Sequence, residues 1–260
     1  MYPSVENLAI VWASIDRLCS GLTDSQWELP TGCPGWTVKD NVSHLVDYEA
    51  RAIGRPGPQR EPGPLPHAKN DLGRANEVGV DARRSKPGSA VLEEFREVTS
   101  ERLAQLGQLT DQDLAAQTMT PAGPGTVARL LTLRVMDSWS HEQDIRRAVG
   151  QPGHTDGPAA AEALGYFTRA LPYVVGKRAA APDGSTVVFR IGSRDPVAVE
   201  VVGGRAKIAA DPRAATVTLQ IPPASFAALA CGRDDVPDDV VVAGDRELGR
   251  RVLDSMAIMP

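Results

Sequence analysis

The chain has 260 residues, 42% hydrophobic and 23% charged, the balance of a globular protein long enough for one large domain or two small ones. A net charge of −5 argues against a general nucleic-acid binder, because phosphate contacts need clustered Lys and Arg. Three scattered cysteines (Cys19, Cys33 and Cys231) form neither a disulfide framework nor a CxxC metal site, and the opening MYPSVENLAIVWASIDRL has no basic segment and no long apolar run. Together these point to a cytoplasmic protein with neither secretory signal nor membrane anchor.

In chain order, Ser4 can cap a first helix whose stripe is Leu8, Val11, Trp12, Ile15, Leu18 and Cys19. LTDSQWELPTGCPGW is a connector. Thr37 starts a second helix with Asp40 as its capping-box partner, and Val38, Val42, Leu45, Val46 and Ile53 form its apolar side. Residues 54–68 are rich in Pro and Gly and read as a long loop, either a lid or an exposed insertion. A third helix follows Pro87, with Leu92, Phe95, Leu103 and Leu106 inward. Thr126 caps a fourth that runs to about Val149 and ends at Gly150. A fifth spans Pro158 to Arg178 with Leu164, Phe167, Leu171, Val174 and Val175 inward, and Pro172 should interrupt it.

After residue 180 the pattern changes. β-Branched runs are separated by the turn pairs Asp183-Gly184, Gly203-Gly204 and Asp211-Pro212, which predicts three or four short strands. PASFAALACG reads as a helix, VVVAG as a strand, and DRELGRRVLDSM as a last helix, with Gly244 and Asp245 as strand-end turn and N-cap. The fold class is α+β: an all-helical part over 1–180 and a small α+β part over 181–260.

The residues that carry chemistry are His44, Asp137 and His141. Asp137 and His141 are one helical turn apart, about 40° around the axis, and Asp144 lies on the other side of Asp137's direction. Two imidazoles and a carboxylate suit a divalent metal with one position left open. A hydrogen-bonded polar network would satisfy the same patch. His44 lies opposite its helix's apolar stripe, facing solvent or a second surface, with Tyr48 and Asn41 one turn to either side of it. His67 and His154, beside Pro and Gly, read as exposed loop positions, and Cys33 as a small packed side chain. No GxGxxG, GxxxxGK[ST] or GxSxG is present, so dinucleotide, P-loop and α/β-hydrolase readings have no support.

The stretch TGCPGWTVKDNVSHLVDYE resembles the second-helix signature of the DinB-like superfamily and, more narrowly, of the mycothiol-dependent maleylpyruvate isomerase family. The likeness extends through PASFAALACGRDD and VVVAGDRELGRRVL. It implies a four-helix bundle followed by a small, sterol-carrier-like α/β domain. It also implies a divalent metal, zinc first, held by His44, Asp137 and His141, with Asp where the family usually has Glu. Mycothiol is the implied thiol cosubstrate, activated on the metal. The resemblance further implies a small-molecule substrate; an anionic one would want guanidinium groups, for which Arg83, Arg84 and Arg233 are the candidates. Isomerisation by thiol addition and elimination is the first reading. A mycothiol S-transferase and a non-enzymatic small-ligand or partner-binding protein are the alternatives. The chain is expected to act as a monomer or weak homodimer, without nucleic-acid or membrane partners.

Overall fold

A computed structural model describes residues 2–59, 63, 65, 67–68, 70–210, 214–233 and 238–259. The chain divides into two compact units, Met1–Ala163 and Leu164–Met259. The division falls inside a helix, whereas the change from helical to strand-rich sequence comes near residue 180, within the second unit.

The first unit contains α1 (Pro3–Ser20), α2 (Asp24–Trp27), α3 (Val38–Ala52), α4 (Asp71–Asp81), α5 (Gly88–Leu106), α6 (Asp111–Ala115), the hairpin β1 (Gln117–Thr120) and β2 (Gly123–Thr126), α7 (Val127–Ala148) and the first part of α8 (Gly157–Thr168). Helices α1, α3, α5 and α7 form the four-helix bundle, packing as the pairs α3–α5, α1–α7, α1–α5 and α3–α7. Their buried faces carry Leu8, Ile15, Leu45, Val46, Phe95, Leu131, Trp139 and Ile145. Burial of an aliphatic side chain of this size contributes about 1.5–3 kcal/mol, so these layers dominate the stability of the unit.

The helix starts follow local chemistry. Thr37 and Asp40 make the expected reciprocal capping box on α3, and Thr126 caps α7. Ser4 does not cap α1. Pro3, with no N–H to satisfy, occupies the first turn, and Ser4 lies inside the helix, where its Oγ donates to Glu162 Oε1 (2.5 Å). Asn7 Nδ2 reaches the other oxygen of Glu162 (2.7 Å), which ties the start of α8 to α1.

Helix α4, the β1–β2 hairpin and the short helices α2 and α6 were absent from the sequence reading. Helix α4 starts at Asn70, whose Oδ1 accepts from Gly73 N (2.8 Å). Of the loop expected over 54–68, Arg60, Glu61, Pro62, Pro64 and Pro66 lie outside the described residues, and the others are non-helical.

The second unit contains the end of α8, α9 (Leu171–Tyr173), a π-helical turn (Val174–Arg178), β3 (Thr186–Ile191), β4 (Val197–Val202), β5 (Arg205–Ile208), β6 (Val217–Ile221), α10 (Pro223–Ala230), β7 (Val241–Gly244) and α11 (Arg246–Asp254). The expected interruption at Pro172 is present, because α8 stops at Thr168 and Pro172 sits in the first turn of α9. The sheet order is β5-β4-β3-β6-β7, with β3 and β6 parallel and every other pair antiparallel. Gly203 and Gly204 both have positive φ (60° and 72°) and close the β4–β5 hairpin in two residues, the turn this pair predicts. The turn expected at Asp211-Pro212 lies outside the described residues. Asp245 caps α11 by accepting from Leu248 N (3.0 Å). The fold class is therefore α+β, a helical bundle followed by a sheet-bearing unit.

Candidate metal centre

Helices α3 and α7 bring the site together. The segment before α3 folds back on itself: Trp36 N donates to Cys33 O (3.0 Å), Thr31 N donates to Trp36 O (2.9 Å), and Gly35 adopts φ +76°. A Cβ at Gly35 would lie 2.7 Å from the His67 ring, so this turn requires glycine for both conformation and space. It places the Trp36 indole against two imidazoles, 5.1 Å from the His44 ring and 5.6 Å from the His141 ring, while the two imidazoles are 4.9 Å apart.

His44 comes from α3, and Asp137 and His141 from one face of α7. One potential ligand atom from each lies within 4.8 Å of the other two. His44 Nε2 is 3.3 Å from Asp137 Oδ2, and His141 Nε2 is 3.6 Å from Asp137 Oδ1. Both histidines are buried, and Asp137 keeps about a quarter of its side chain (27%) exposed. His44 does face away from the apolar stripe of α3, but toward α7 rather than solvent. His141 Nδ1 lies 2.7 Å from Asn41 Oδ1, and Asp144 Oδ2 is 3.6 Å from the same nitrogen.

A buried ion-pair chain stands behind Asp137. Arg134, one turn earlier on α7, donates through Nη1 to Asp137 Oδ2 (2.8 Å) and through Nε to Glu49 Oε1 (2.7 Å). Its guanidinium lies over the Tyr48 ring at 3.6 Å from the centroid, and Arg102 Nε donates to Glu49 Oε2 (3.2 Å). Burial pushes the Asp137 carboxyl up, but Arg134, His44 and His141 outweigh it and hold the group well below the usual carboxylate range. Burial lowers the His44 imidazole below its ordinary value, against the pull of Asp137. The site therefore presents an ionised carboxylate beside a histidine that favours its neutral form, the protonation states a divalent metal requires. Two nitrogens and one oxygen form a donor set that zinc accepts, and three protein ligands would leave one position of a tetrahedral ion open.

Arg134 and Glu49 were not singled out from the sequence. The i, i+3 spacing of Arg134 and Asp137 was the available signal for the first, and nothing local pointed to the second. Trp36 and Glu77 were also missed. Glu77, on α4 and 1% exposed, accepts from Trp36 Nε1 (2.5 Å), pairs with His67 Nε2 (2.6 Å) and faces Arg84 Nη2 (3.1 Å). His67 is thus half-buried and engaged, not an exposed loop residue. His154 is likewise half-buried, with Nδ1 2.7 Å from the fully buried Glu142, and its backbone oxygen accepts from Trp139 Nε1 (2.8 Å). Both histidines read as exposed from sequence alone because their partners Glu77 and Glu142, 10 and 12 residues away, lie on adjoining helices at separations that no local spacing rule links.

The three candidate arginines lie in different settings. Arg83 is buried and donates to Glu94 Oε1 (2.7 Å), the Gly79 carbonyl (2.8 Å) and Asp47 Oδ1 (3.4 Å). Arg84, one-third exposed, faces Asp40 and Glu77 at 3.3 and 3.1 Å. Arg233 belongs to the second unit, where its Nη1 donates to the Cys231 carbonyl (3.3 Å).

Residues 8–146 match the model of the mycothiol maleylpyruvate isomerase N-terminal domain, and residues 162–251 match that of the corresponding C-terminal domain. Two uncharacterized proteins of Mycobacterium tuberculosis, from strains CDC 1551 / Oshkosh and ATCC 25618 / H37Rv, are each 25% identical over 150 residues. That match spans 57% of this chain and 57% of the length of each relative. Among solved structures, the mycothiol-dependent maleylpyruvate isomerase aligns with 92% of this chain and 91% of its own at a TM-score of 0.57 and 15% identity. A single-site mutant of it aligns over the same shares with the same TM-score and 14% identity. At these identities the structural likeness speaks for the fold, and the matched domain models, which cover both units, carry the assignment: the chain belongs to the mycothiol maleylpyruvate isomerase family.

Proposed function

We propose that this protein is a metal-dependent enzyme that uses a low-molecular-weight thiol, mycothiol, as its nucleophile, with His44, Asp137 and His141 as the metal ligands. The observation that carries the reading is the approach of three potential ligand atoms to within 4.8 Å of one another on the facing helices α3 and α7. Zinc is the favoured ion for this donor set, and when bound it would supply the charge that deprotonates a thiol at neutral pH. The chain's own residues prepare the site. Arg134 keeps Asp137 ionised and fixes one of its oxygens, burial keeps His44 neutral, and the Trp36 ring covers both imidazoles. No protein thiol is required, which agrees with Cys33 packing in a cluster with Trp36 and Val80.

The reaction class is that of the family, cis–trans isomerisation by thiol addition and elimination on a small anionic substrate. Arg84 is the foremost guanidinium for the substrate's carboxylate on exposure alone, since its side chain is one-third exposed while that of Arg83 is buried and both already face carboxylates; Arg233 is the candidate from the second unit. The enzyme is proposed to work in the cytoplasm as a monomer or weak homodimer. Among the described residues no helix is long and apolar enough to cross a membrane.

Metal analysis of purified wild type and of His44→Ala and His141→Ala tests the assignment. Near-stoichiometric zinc in the wild type and its loss in both variants is the expected result. Equal metal in all three proteins rejects these ligands, and no metal in any leaves a ligand-binding role. Mass spectrometry of the products then separates isomerisation from transfer, because a stable thioether of mycothiol would mean an S-transferase.

A further inference from the structure

Asn41 is fully buried, and its surroundings fix which way its amide points. Nδ2 donates to the Thr37 carbonyl (2.8 Å) and to Thr31 Oγ1 (3.0 Å). A carbonyl can only accept, so the NH2 group must face Thr37 and the amide oxygen must face the other way. That oxygen lies 2.7 Å from His141 Nδ1. An amide oxygen also only accepts, so at this distance Nδ1 carries a proton. A neutral imidazole has one N–H, so with the proton on Nδ1 the ring lone pair is on Nε2. Nε2 is the atom on the Asp137 side of the ring, 3.6 Å from Asp137 Oδ1.

We propose that Asn41 is a positioning residue that holds His141 in its Nδ1–H tautomer, so that Nε2 is presented to the site as a ligand atom. The proposal rests on the metal reading above. It joins the helix start to the chemistry. Thr37 caps α3 with its side chain, and its carbonyl, one turn before Asn41, aligns the amide that in turn sets the imidazole. Asp144 Oδ2 also faces His141 Nδ1, but at 3.6 Å it lies outside direct bonding distance. The Trp36 indole N–H is directed to Glu77 and does not compete for this nitrogen.

The test is carried out on the metal-free full chain at a pH where the His141 15N shifts report a neutral ring. Long-range 1H–15N correlation spectra should show His141 as the Nδ1–H tautomer in the wild type. Asn41→Leu should shift it toward Nε2–H and weaken zinc binding by about 10–100-fold in a chelator competition titration. Asn41→Asp keeps an acceptor facing Nδ1 but sets its second oxygen against the Thr37 carbonyl, so it should retain the Nδ1–H tautomer while unfolding at a lower temperature than wild type. Asn41→Ala replaces the leucine variant if thermal unfolding shows that Asn41→Leu does not fold. An Nε2–H tautomer in the wild type overturns the proposal. So does an unchanged tautomer or unchanged zinc affinity in Asn41→Leu, which would mean that Asp144 suffices. A wild type with the expected tautomer that binds no zinc instead rejects the metal reading while upholding the Asn41–His141 hydrogen bond.

Discussion

Replacing Arg134 by methionine tests whether the ion-pair chain behind Asp137 stabilises the bundle. The guanidinium is 4% exposed and pairs with Glu49, itself 1% exposed, and with Asp137, 27% exposed. Removing one member of a buried pair costs about 3–5 kcal/mol, because the remaining charge is left without compensation. Two features place Arg134→Met at the lower end. Arg102 remains 3.2 Å from Glu49, and Asp137 retains some contact with water. The expected loss is therefore about 3 kcal/mol, or roughly 6–12 °C in Tm for a unit of this size. Tryptophan fluorescence is the suitable readout, since all four tryptophans (Trp12, Trp27, Trp36 and Trp139) lie in the first unit. Adding Glu49→Leu should restore part of the loss, so the double variant should cost less than the two single variants summed. An Arg134→Met protein within about 0.5 kcal/mol of wild type, the range of an ordinary surface change, would refute the argument.

The buried Cys19 thiol is pushed up to about 12 by burial first and then by Asp16 and Glu142. Maleimide should therefore modify the half-buried Cys231 in the native protein and reach Cys19 only on unfolding, as intact-mass spectrometry would show; rapid native labelling of Cys19 would contradict its burial. In metal-free protein, the lowered folded-state pKa of His44 means that the unfolded chain takes up a proton the native state refuses. Stability from this group is complete above the ordinary histidine value of about 6.5 and is lost as pH falls below it toward the folded value. The urea midpoint should fall between pH 7 and pH 5 more steeply in wild type than in His44→Gln, and parallel slopes would contradict the lowered pKa.

The helices that build the site were legible because their signals are local. Thr37 with Asp40, and Thr126 alone, mark the starts of α3 and α7, and apolar spacing carries each helix to its end. The strands after residue 180 were legible for the same reason, with glycine pairs at the hairpin and β-branched runs between them. Helix α4 was hidden by composition. DLGRANEVGVD contains two glycines and few large apolar residues, and it is placed by Asn70 at its cap and by the buried Glu77 and Val80. Glu77 has no function that its own sequence neighbours reveal, since its partners Trp36, His67 and Arg84 come from three separate segments.

The same distinction explains what could be read of the site itself. The CPGWTVKDNVSHL motif marked His44, and four-residue spacing marked Asp137 and His141, but neither showed how an aspartate could serve as the proposed third ligand. Aspartate is shorter than glutamate by one methylene, about 1.5 Å of reach. The structure answers with anchoring rather than reach. Arg134 fixes Asp137 Oδ2, which also faces His44, and leaves Oδ1 directed to His141. Arg134 is in turn held by Glu49 and lies over Tyr48, so the carboxylate has little freedom to turn away. Glu49 and Arg134 are 85 residues apart, and no spacing rule connects them. The residues of the proposed ligand set can thus be read from local sequence, whereas the charges that fix their geometry become visible only when α3 and α7 are packed together.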